Sequence, residues 1–356
     1  MISISTTLMN IILLLLLPSI SCNSGSPTTI EEVATLPEAV ANNAVCEGFM
    51  EGTPYLYSFG GIDSTKIYSG IHVRSFRANL KSLKSERIPN LPDTLGKIAA
   101  GASRIGNIIY IIGGYHVFED GSELSSKKIH RYDIKDNIFL SDGADIPVPI
   151  DDHIQVVWQD KLIYVIAGWS NTGNVPNVQI YDPNADSWSV GAPLPNTDTY
   201  KSFGASGTII GNIIYYFGGA GSSYSPQNTL RKGIIDTNDP THISWTASIP
   251  DSNIFGYRMA STTVQNRPLW IGGSQNTYNF NGIAYDKSGG VSTSNRILHN
   301  STTLIETEFN QLYLNQIPMD LRGIANLGDG RLFIAGGMID NQKVTDKIYE
   351  IIINTF

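Results

Sequence analysis

One motif recurs six times along the chain and restricts the folds that the chain can adopt. Each copy is a short apolar run, rich in β-branched and aromatic residues, that ends in two glycines or a close variant, as residues 108–114 do. Such a run predicts a buried β-strand that stops at a tight turn. The first glycine position of each copy falls at Gly60, Gly113, Ala167, Gly218, Gly272 and Gly336, so neighbouring copies lie 51 to 64 residues apart. A period of this length predicts that each copy forms one supersecondary unit of a repeat fold.

The residues downstream of the glycine pairs indicate which kind of repeat the chain contains. In the third copy Tyr181, Asp182 and Pro183 are followed by Trp188, which predicts a third strand, a turn and a fourth strand. Other copies repeat these aromatic residues at Tyr132, Tyr285, Tyr349 and Trp245. Together with the glycine-ended strands, the pattern resembles the kelch repeat over nearly all of the chain. The resemblance implies an all-β fold, a single six-bladed kelch-type β-propeller over residues 29–356.

The repeat pattern also makes a prediction about the two ends of the propeller. The last copy reaches residue 356 with three of the four strands of a kelch blade, and residues 29–37 precede the first copy. These residues end in Leu-Pro, as a later copy does at Leu194 and Pro195. We therefore expect the N-terminal strand to complete the C-terminal blade, which closes the ring and leaves no free sheet edge.

The first residues have the features of a targeting segment. Residues 11–17 form an apolar run that is too short to span a bilayer, and small residues follow it. We therefore expect residues 1–21 to be a signal peptide. Residues 19–22 resemble a bacterial lipobox, which implies export, a lipidated Cys22 that anchors the chain to a bacterial membrane in the periplasm or at the cell surface, and a tether over residues 22–28. The alternative is an ordinary signal peptide that is cleaved near Cys22.

Composition argues against several classes of function. The chain has 32 acidic and 24 basic residues and a net charge of −8, which argues against a nucleic-acid partner. Its two cysteines, Cys22 and Cys46, predict no disulfide framework. The neighbours of Cys46 predict a buried strand position for this residue. No second hydrophobic segment follows the first, so we expect membrane contact through the lipid anchor only.

Charged residues near the start of the innermost strands are the candidate ligand-binding residues, because propellers usually bind ligands at one mouth of the central channel. Four cations occupy these places in four of the six repeats: Lys97, Lys201, Arg258 and Arg322. Candidate proton-transfer residues and aromatic residues accompany them: Asp152, His153, Asp320, Tyr200 and Tyr257. We expect the set to converge on the channel axis, where guanidinium groups bind carboxylates and tyrosines stack on a sugar. The alternative is a structural role, in which the cations pair with Asp152 and Asp320.

Motifs for other chemistry are missing from the sequence. No spacing is typical of zinc or calcium ligands, of a P-loop or of a nucleophile elbow, so we predict no metal site and no cofactor. The histidines outside the predicted channel mouth are expected to face solvent: His72, His130, His242 and His299.

Three functions remain to be compared. Galactose oxidase has the kelch fold, but its copper site needs a cysteine crosslinked to a tyrosine, and the strand position of Cys46 does not match it. The exported N-acetylneuraminate mutarotase is similar in blade number and in its cationic mouth, which implies an acidic sugar held by Arg258 and Arg322. Asp152, His153 or Asp320 would then move the proton. The third function is a binding module for a carbohydrate, which we favour, or for a protein partner.

Overall fold

The computed structural model describes residues 28–300 and 309–354, which are almost entirely β-structure. The predicted signal peptide, Cys22 and the tether up to residue 27 lie outside the described residues. Two single-turn 3-10 helices, Tyr68–Gly70 and Asp340–Gln342, are the helical segments in the described ranges. Within these ranges, no helix has the length and apolar character needed to cross a membrane.

The strands are numbered β1 to β29 in chain order. The first group is Thr29–Thr35 (β1), Ala44–Met50 (β2), Thr53–Phe59 (β3), Ser75–Asn79 (β4), Lys84–Ile88 (β5), Ile98–Ile105 (β6), Ile108–Val117 (β7) and Glu123–Ser125 (β8). The second group is Ile129–Asp133 (β9), Ile138–Phe139 (β10), Ile154–Trp158 (β11), Leu162–Ile166 (β12), Trp169–Ser170 (β13), Gly173–Asn174 (β14), Val178–Asp182 (β15) and Ser187–Val190 (β16). The third group is Ser206–Ile210 (β17), Ile213–Phe217 (β18), Leu230–Ile235 (β19), Ile243–Ser248 (β20), Ala260–Val264 (β21), Arg267–Ile271 (β22), Arg296–Asn300 (β23) and Phe309–Tyr313 (β24). The last group is Arg322–Asn326 (β25), Arg331–Ala335 (β26), Met338–Ile339 (β27), Lys343–Val344 (β28) and Lys347–Ile352 (β29).

Small antiparallel sheets repeat along the chain, as in a β-propeller. Three sheets have four strands each and follow chain order, β11-β12-β15-β16, β17-β18-β19-β20 and β21-β22-β23-β24. A fourth has the path β6-β7-β9-β10, with β8 paired to β7. The remaining long strands form one eight-stranded sheet in the order β1-β29-β26-β25-β2-β3-β4-β5. The predicted all-β kelch propeller architecture is therefore confirmed at the level of the fold.

The two ends of the described chain meet within the eight-stranded sheet. β1 pairs antiparallel with β29, so the first and last long strands are neighbours. β25 pairs in parallel with β2, with Arg322 opposite Ala44 and Gly323 opposite Val45. The first strand of the first repeat is thus hydrogen-bonded to the first strand of the last repeat.

The first strands of the six repeats surround one central cavity. Residues of β2, β6, β11, β17, β21 and β25 all line a cavity of about 220 Å³. Its walls are mostly small or polar side chains, among them Ser103, Thr208 and Ser261. Cys46 lies in β2 and is buried, as predicted for a strand position. These six strands therefore form the wall of the central channel.

A circle of backbone hydrogen bonds closes one end of this channel. Six residues, here called the ring positions, take part and all have a positive φ of 47–65°: Asn42, Ala99, Asp152, Gly204, Arg258 and Asp320. Each amide from Ala99 to Arg258 donates to the carbonyl oxygen of the ring position before it, and Asn42 donates to Asp320, at 2.8–3.2 Å. The Leu321 amide completes the circle with a 3.0 Å bond to the Arg258 carbonyl. The circle fixes the register between neighbouring sheets.

The hydrophobic core lies between neighbouring sheets. The strands that end at the glycine pair are the second strand of each repeat and are deeply buried, with all five residues of β12 inaccessible to solvent or nearly so. Aromatic side chains from different repeats pack there, as Tyr57 and Tyr132 do with ring centroids 5.6 Å apart. Burial of such aromatic area is the main force that holds one sheet against the next.

We predict that the parallel contact between β25 and β2 does not tolerate a side chain at Gly323. This glycine has φ +142°, and an added Cβ would lie 1.9 Å from the Val45 carbonyl oxygen. Gly323→Ala is expected to lower the free energy of unfolding by about 2–5 kcal/mol, from overpacking and backbone strain together. Urea unfolding followed by circular dichroism measures the effect.

Gly328→Ala is the matched control, because Gly328 also has a positive φ, of 80°, but has open space around the position of a Cβ. It should cost only the backbone strain, about 1–2 kcal/mol. Equal losses in the two variants would show that the close approach of β25 to β2 is not a packing constraint.

Candidate functional site

Four buried charged side chains meet at the channel end that the ring positions close. They are called here the ion cluster: Asp152, Arg258, Asp320 and Arg322. Arg258 donates from Nη2 to Asp152 Oδ2 at 2.6 Å and from Nη1 to Asp320 Oδ1 at 3.2 Å. Arg322 Nη1 lies 3.5 Å from Asp152 Oδ1. Each side chain is at most 5% exposed, so these ions depend on one another rather than on water.

The backbone explains why these side chains meet. Asp152, Arg258 and Asp320 occupy ring positions, so their Cα atoms are at equivalent places around the channel. A positive φ costs a residue with a side chain about 1–2 kcal/mol, and we infer that the ion pairs and the hydrogen-bonded circle offset this strain. Arg322 follows Asp320 by two residues and reaches the cluster from the start of β25.

Burial and the charges of neighbouring groups together set the pKa values of Asp320 and Arg258. Burial raises the pKa of Asp320 to about 6, although the Arg258 charge lowers it in part. Its Oδ2 has no hydrogen-bond partner within the described part of the chain. Burial opposes the charge of Arg258, but Asp152 and the neighbouring groups raise its pKa well above the usual value. Asp320 therefore gains a proton at a higher pH than an ordinary aspartate does.

A small cavity of about 80 Å³ lies on the channel side of the cluster and is bordered by His153 and Arg322. His153 Nε2 lies 3.1 Å from Gln155 Oε1, and Nδ1 has no partner among the described residues. Burial and the Arg322 charge lower the pKa of His153 to about 3, so this imidazole is neutral at physiological pH. His153 thus faces the inside of the channel rather than its mouth.

A larger cavity of about 260 Å³, here called the mouth pocket, lies against the other side of the ion cluster. Asp152 and Arg258 border it, whereas Arg322 borders the small cavity in the channel. The ion cluster therefore separates the two spaces and forms the floor of the mouth pocket.

Aromatic side chains form one wall of the mouth pocket. Tyr224 lies between Trp169 and Tyr285, with ring centroids 5.7 and 4.6 Å away and interplanar angles of 31° and 34°. Phe203 packs edge-on against Trp169 at 5.3 Å. Trp169 and Tyr285 are half-buried, and Tyr224 is 39% exposed. Trp169, Tyr224 and Tyr285 thus pack on one another and form an aromatic wall of the pocket.

Asp151 is a pocket residue that the sequence did not single out. The residue before each ring position points into an apolar cluster, and in the other repeats it is Ala41, Ile98, Phe203, Tyr257 or Met319. Asp151 occupies this place in the third repeat, borders the mouth pocket and is 3% exposed. Ser125 Oγ donates to its Oδ2 at 2.6 Å. Alignment of the repeats by their ring positions would have identified this carboxyl group as an exception.

Two of the four predicted cations do not converge with the others. Lys97 is buried and binds Asp93 Oδ2 at 2.7 Å, Ser126 Oγ at 3.2 Å and His130 Nε2 at 3.0 Å, so its three N–H groups are taken up locally. It precedes the ring position Ala99 by two residues, which directs it to a different site. The prediction of a common site for all four cations was therefore wrong for Lys97.

Lys201 and Tyr200 lie three and four residues before the ring position Gly204. Both are half-buried, and neither is among the described residues that border the mouth pocket. The Tyr200 carbonyl accepts a 2.8 Å hydrogen bond from Tyr216. Tyr257 is fully buried, with the Arg258 guanidinium 5.1 Å from its ring centroid, so it supports the ion cluster from behind.

The prediction that the remaining histidines face solvent was wrong for three of them. His72, His130 and His299 are buried, and His242 is exposed. His130 Nδ1 lies 2.8 Å from Asp142 Oδ1, and its other nitrogen faces Lys97. Strand position alone did not reveal that these rings are buried, nor that Asp142 and Lys97 contact His130. Among the described residues, no group of three or more metal-ligating side chains is placed to hold a metal ion.

We predict that Arg258→Met destabilises the fold by about 3–5 kcal/mol, because it leaves the buried Asp320 carboxylate without a cation and Asp152 with the more distant Arg322 alone. Arg331→Met is the matched control. It removes an ion pair with Glu350 at a side chain that is 40% exposed, and it should cost less than about 1 kcal/mol. Chemical unfolding of both variants measures the difference, and a similar small loss in both would contradict the structural role of Arg258.

We also predict that Asp320 makes stability depend on pH. Because its pKa is about 6 in the folded state and 3.8 in the absence of these surroundings, the folded state binds the proton more tightly. Its contribution to the free energy of unfolding therefore falls as pH rises from about 4 to about 6 and is constant above that. Relative to wild type, Asp320→Asn should gain about 2–3 kcal/mol across this interval. Urea unfolding between these pH values tests this, and a constant difference would contradict it.

Comparisons with known proteins agree with the fold. A family model described as Kelch motif matches residues 156–195. Kelch-like protein 15 of Gallus gallus is 29% identical over 141 residues, which are 40% of this chain and 26% of that protein. Kelch repeat and BTB domain-containing protein 12 of Homo sapiens is 27% identical over 171 residues, which are 44% of this chain and 26% of that protein. The alignments thus span about a quarter of these curated relatives.

A solved structure is similar over most of the chain. The protein titled "Structure of YjhT" superposes with a TM-score of 0.67 and covers 88% of this chain and 95% of its own. The two sequences are 16% identical, so the similarity concerns the fold alone.

Proposed function

We propose that the chain is a six-bladed propeller of the kelch-repeat family and that it binds a carbohydrate in its mouth pocket. The blade number is supported by the circle of six ring positions and by the six strands around one cavity. In this proposal the eight-stranded sheet is two blades joined through β25 and β2, and β1 is the outer strand of the last blade.

The aromatic wall is the observation that carries the carbohydrate proposal. The electron-rich faces of Trp169, Tyr224 and Tyr285 attract the positively polarised C–H groups on one face of a sugar ring. Asn279 and the carboxyl groups of Asp151 and Glu123 border the same space and are suited to hydroxyl groups. A cavity of about 260 Å³ is slightly below the range of drug-sized pockets, about 300–1,000 Å³, and therefore suits a ligand of one or two sugar rings.

The state of the two arginines favours a binding module over a mutarotase for acidic sugars. Such an enzyme would need a free cation to hold the substrate carboxylate. Arg258 is instead paired with two buried aspartates, and Arg322 lies on the other side of the ion cluster. Asp152, His153 and Asp320 are likewise part of the floor or of the channel. A protein partner at the same face is the further alternative, since kelch proteins commonly bind proteins.

We predict that Trp169→Ala abolishes sugar binding. A ligand at about 100 times its Kd raises the free energy of unfolding by about 2.7 kcal/mol, which a thermal-shift screen detects. The screen uses neutral monosaccharides and N-acetylneuraminate. The matched control is Trp188→Ala in β16, a tryptophan that lies outside the mouth pocket.

Shifts with a neutral sugar in wild type and in the control, but not in Trp169→Ala, are expected. A shift with N-acetylneuraminate only, accompanied by faster interconversion of its anomers, would favour the mutarotase. No shift with any sugar would overturn the carbohydrate proposal and leave a protein partner.

For localisation, we propose export and a lipid anchor at Cys22, supported by the apolar run at residues 11–17 and the small residues before the cysteine. Cys22→Ser is expected to release the protein from the membrane fraction of a bacterial host and to abolish incorporation of labelled palmitate. Membrane association that survives Cys22→Ser would contradict the anchor, and Cys46→Ser is the matched control because Cys46 is buried in β2.

A further inference from the structure

The charge of the mouth pocket does not match an anionic ligand. Arg258 is the one cationic side chain among the described residues that border the pocket, and its guanidinium already faces Asp152 and Asp320. Asp151 and Glu123 border the same space, and neither forms an ion pair in the described structure. The surplus charge of the pocket is therefore negative when these groups are ionised.

A backbone bridge between Asp151 and Trp169 places the Asp151 carboxyl group beside the aromatic wall. The two residues form an isolated antiparallel bridge, with hydrogen bonds of 2.9 Å between their backbones in both directions. Their side chains border the same cavity, and Glu123 lies at its rim in β8. A carboxyl group beside adjoining aromatic faces is the arrangement that binds an ammonium group, which is attracted by both.

Burial of Asp151 also has an energetic cost that needs a reason. In the other repeats this place holds an apolar side chain, which packs into the cluster around Ile98, Phe203 and Tyr257. A carboxyl group there loses hydration, and within the described structure Ser125 is the one side chain that donates a hydrogen bond to it. A ligand that supplies a positive charge and further N–H donors would compensate for this loss.

We propose that the mouth pocket selects a ligand with a protonated amine, and that this ligand is an amino sugar whose free ammonium group contacts Asp151 and the aromatic wall. The inference rests on the proposed carbohydrate function and specifies the charge of its ligand. Glu123 at the rim contributes a second negative charge, and the aromatic wall lies against the sugar ring.

Binding of such a ligand is coupled to a proton. Burial raises the pKa of Asp151 well above its ordinary value, and the charges of Asp152 and Glu123 add to this effect, whereas Ser125 and Arg258 oppose it. The empty pocket therefore favours the protonated carboxyl group of Asp151 up to a higher pH than for an ordinary aspartate. An ammonium ligand favours the carboxylate, so the Asp151 proton leaves to solvent as the ion pair forms. Affinity for the amine then rises with pH until the amine itself loses its proton.

Titration calorimetry with three related sugars tests the inference. Glucosamine carries the ammonium group, N-acetylglucosamine replaces it with a neutral amide, and glucose replaces it with a hydroxyl. Wild type should bind glucosamine at least about tenfold more tightly than the neutral sugars. Repetition in two buffers with different ionisation enthalpies should show net proton release for glucosamine and none for glucose.

Asp151→Asn keeps the shape and the Ser125 contact but cannot ionise. It should weaken glucosamine binding far more than glucose binding, so that the preference for glucosamine is lost together with proton release. Asp136→Asn, at an exposed loop residue after β9, is the control with the same change in charge and should behave as wild type. If Asp151→Asn does not fold, Glu123→Gln at the exposed rim replaces it and should weaken glucosamine binding several-fold more than glucose binding.

The outcomes separate the inference from the proposed function. Equal affinity for glucose and glucosamine, tighter binding of N-acetylneuraminate, or the absence of proton release would overturn the inference and leave a carbohydrate site. Failure of all sugars to bind would overturn the carbohydrate function itself, and the inference with it.

Discussion

The Arg258 guanidinium, held between the carboxylates of Asp152 and Asp320, is the interaction on which the centre of the molecule depends. All three residues occupy ring positions, where a left-handed backbone lets each amide bond to the carbonyl group of the neighbouring repeat. The backbone circle brings the three charges together, and their attraction in turn supports a backbone conformation that is unfavourable for residues with side chains. Each feature stabilises the other, so the register between sheets and the ionisation of the cluster are linked.

This cluster also decides on which side of it a ligand can bind. It divides the space along the axis into a polar channel, bordered by the inner strands, and a mouth pocket with aromatic and acidic walls. Arg258 and Asp152 form the floor and are paired with each other, so their charges largely neutralise one another in the absence of a ligand. Recognition then falls to the side chains above the floor, which are those of Trp169, Tyr224 and Asp151.

The repeat pattern in the sequence was sufficient to predict the propeller, because a glycine-ended apolar strand at a regular period has few other structural solutions. It also identified Arg258, Arg322, Asp152 and Asp320, which do meet at the channel. The repeat pattern wrongly grouped Lys97 with these residues. The repeats were aligned by the charged residues near the start of each innermost strand, whereas the structure aligns them by the ring positions, and Ala99 is the ring position of this repeat. Lys97 lies two residues before the ring position of its repeat, so its side chain points to another site, where it binds Asp93 and His130.

The residues of the mouth pocket were harder to predict for a related reason. Trp169, Tyr224 and Tyr285 come from three loops that are distant in sequence, and only the packing of neighbouring sheets brings their rings within 6 Å. Asp151 was next to a candidate residue and was overlooked, because its significance depends on the apolar side chains at the same place in the other repeats. Both signals depend on the three-dimensional superposition of the repeats.

A crystal structure determined with saturating glucosamine tests the central claim most directly, namely that the mouth pocket is the ligand site. The account predicts electron density for one sugar ring against Trp169 and Tyr224, with its nitrogen within hydrogen-bond distance of the Asp151 carboxylate. Density in the surface pocket bordered by Glu32, Thr293 and Lys347, or on the channel side of the ion cluster, with an empty mouth pocket would contradict it.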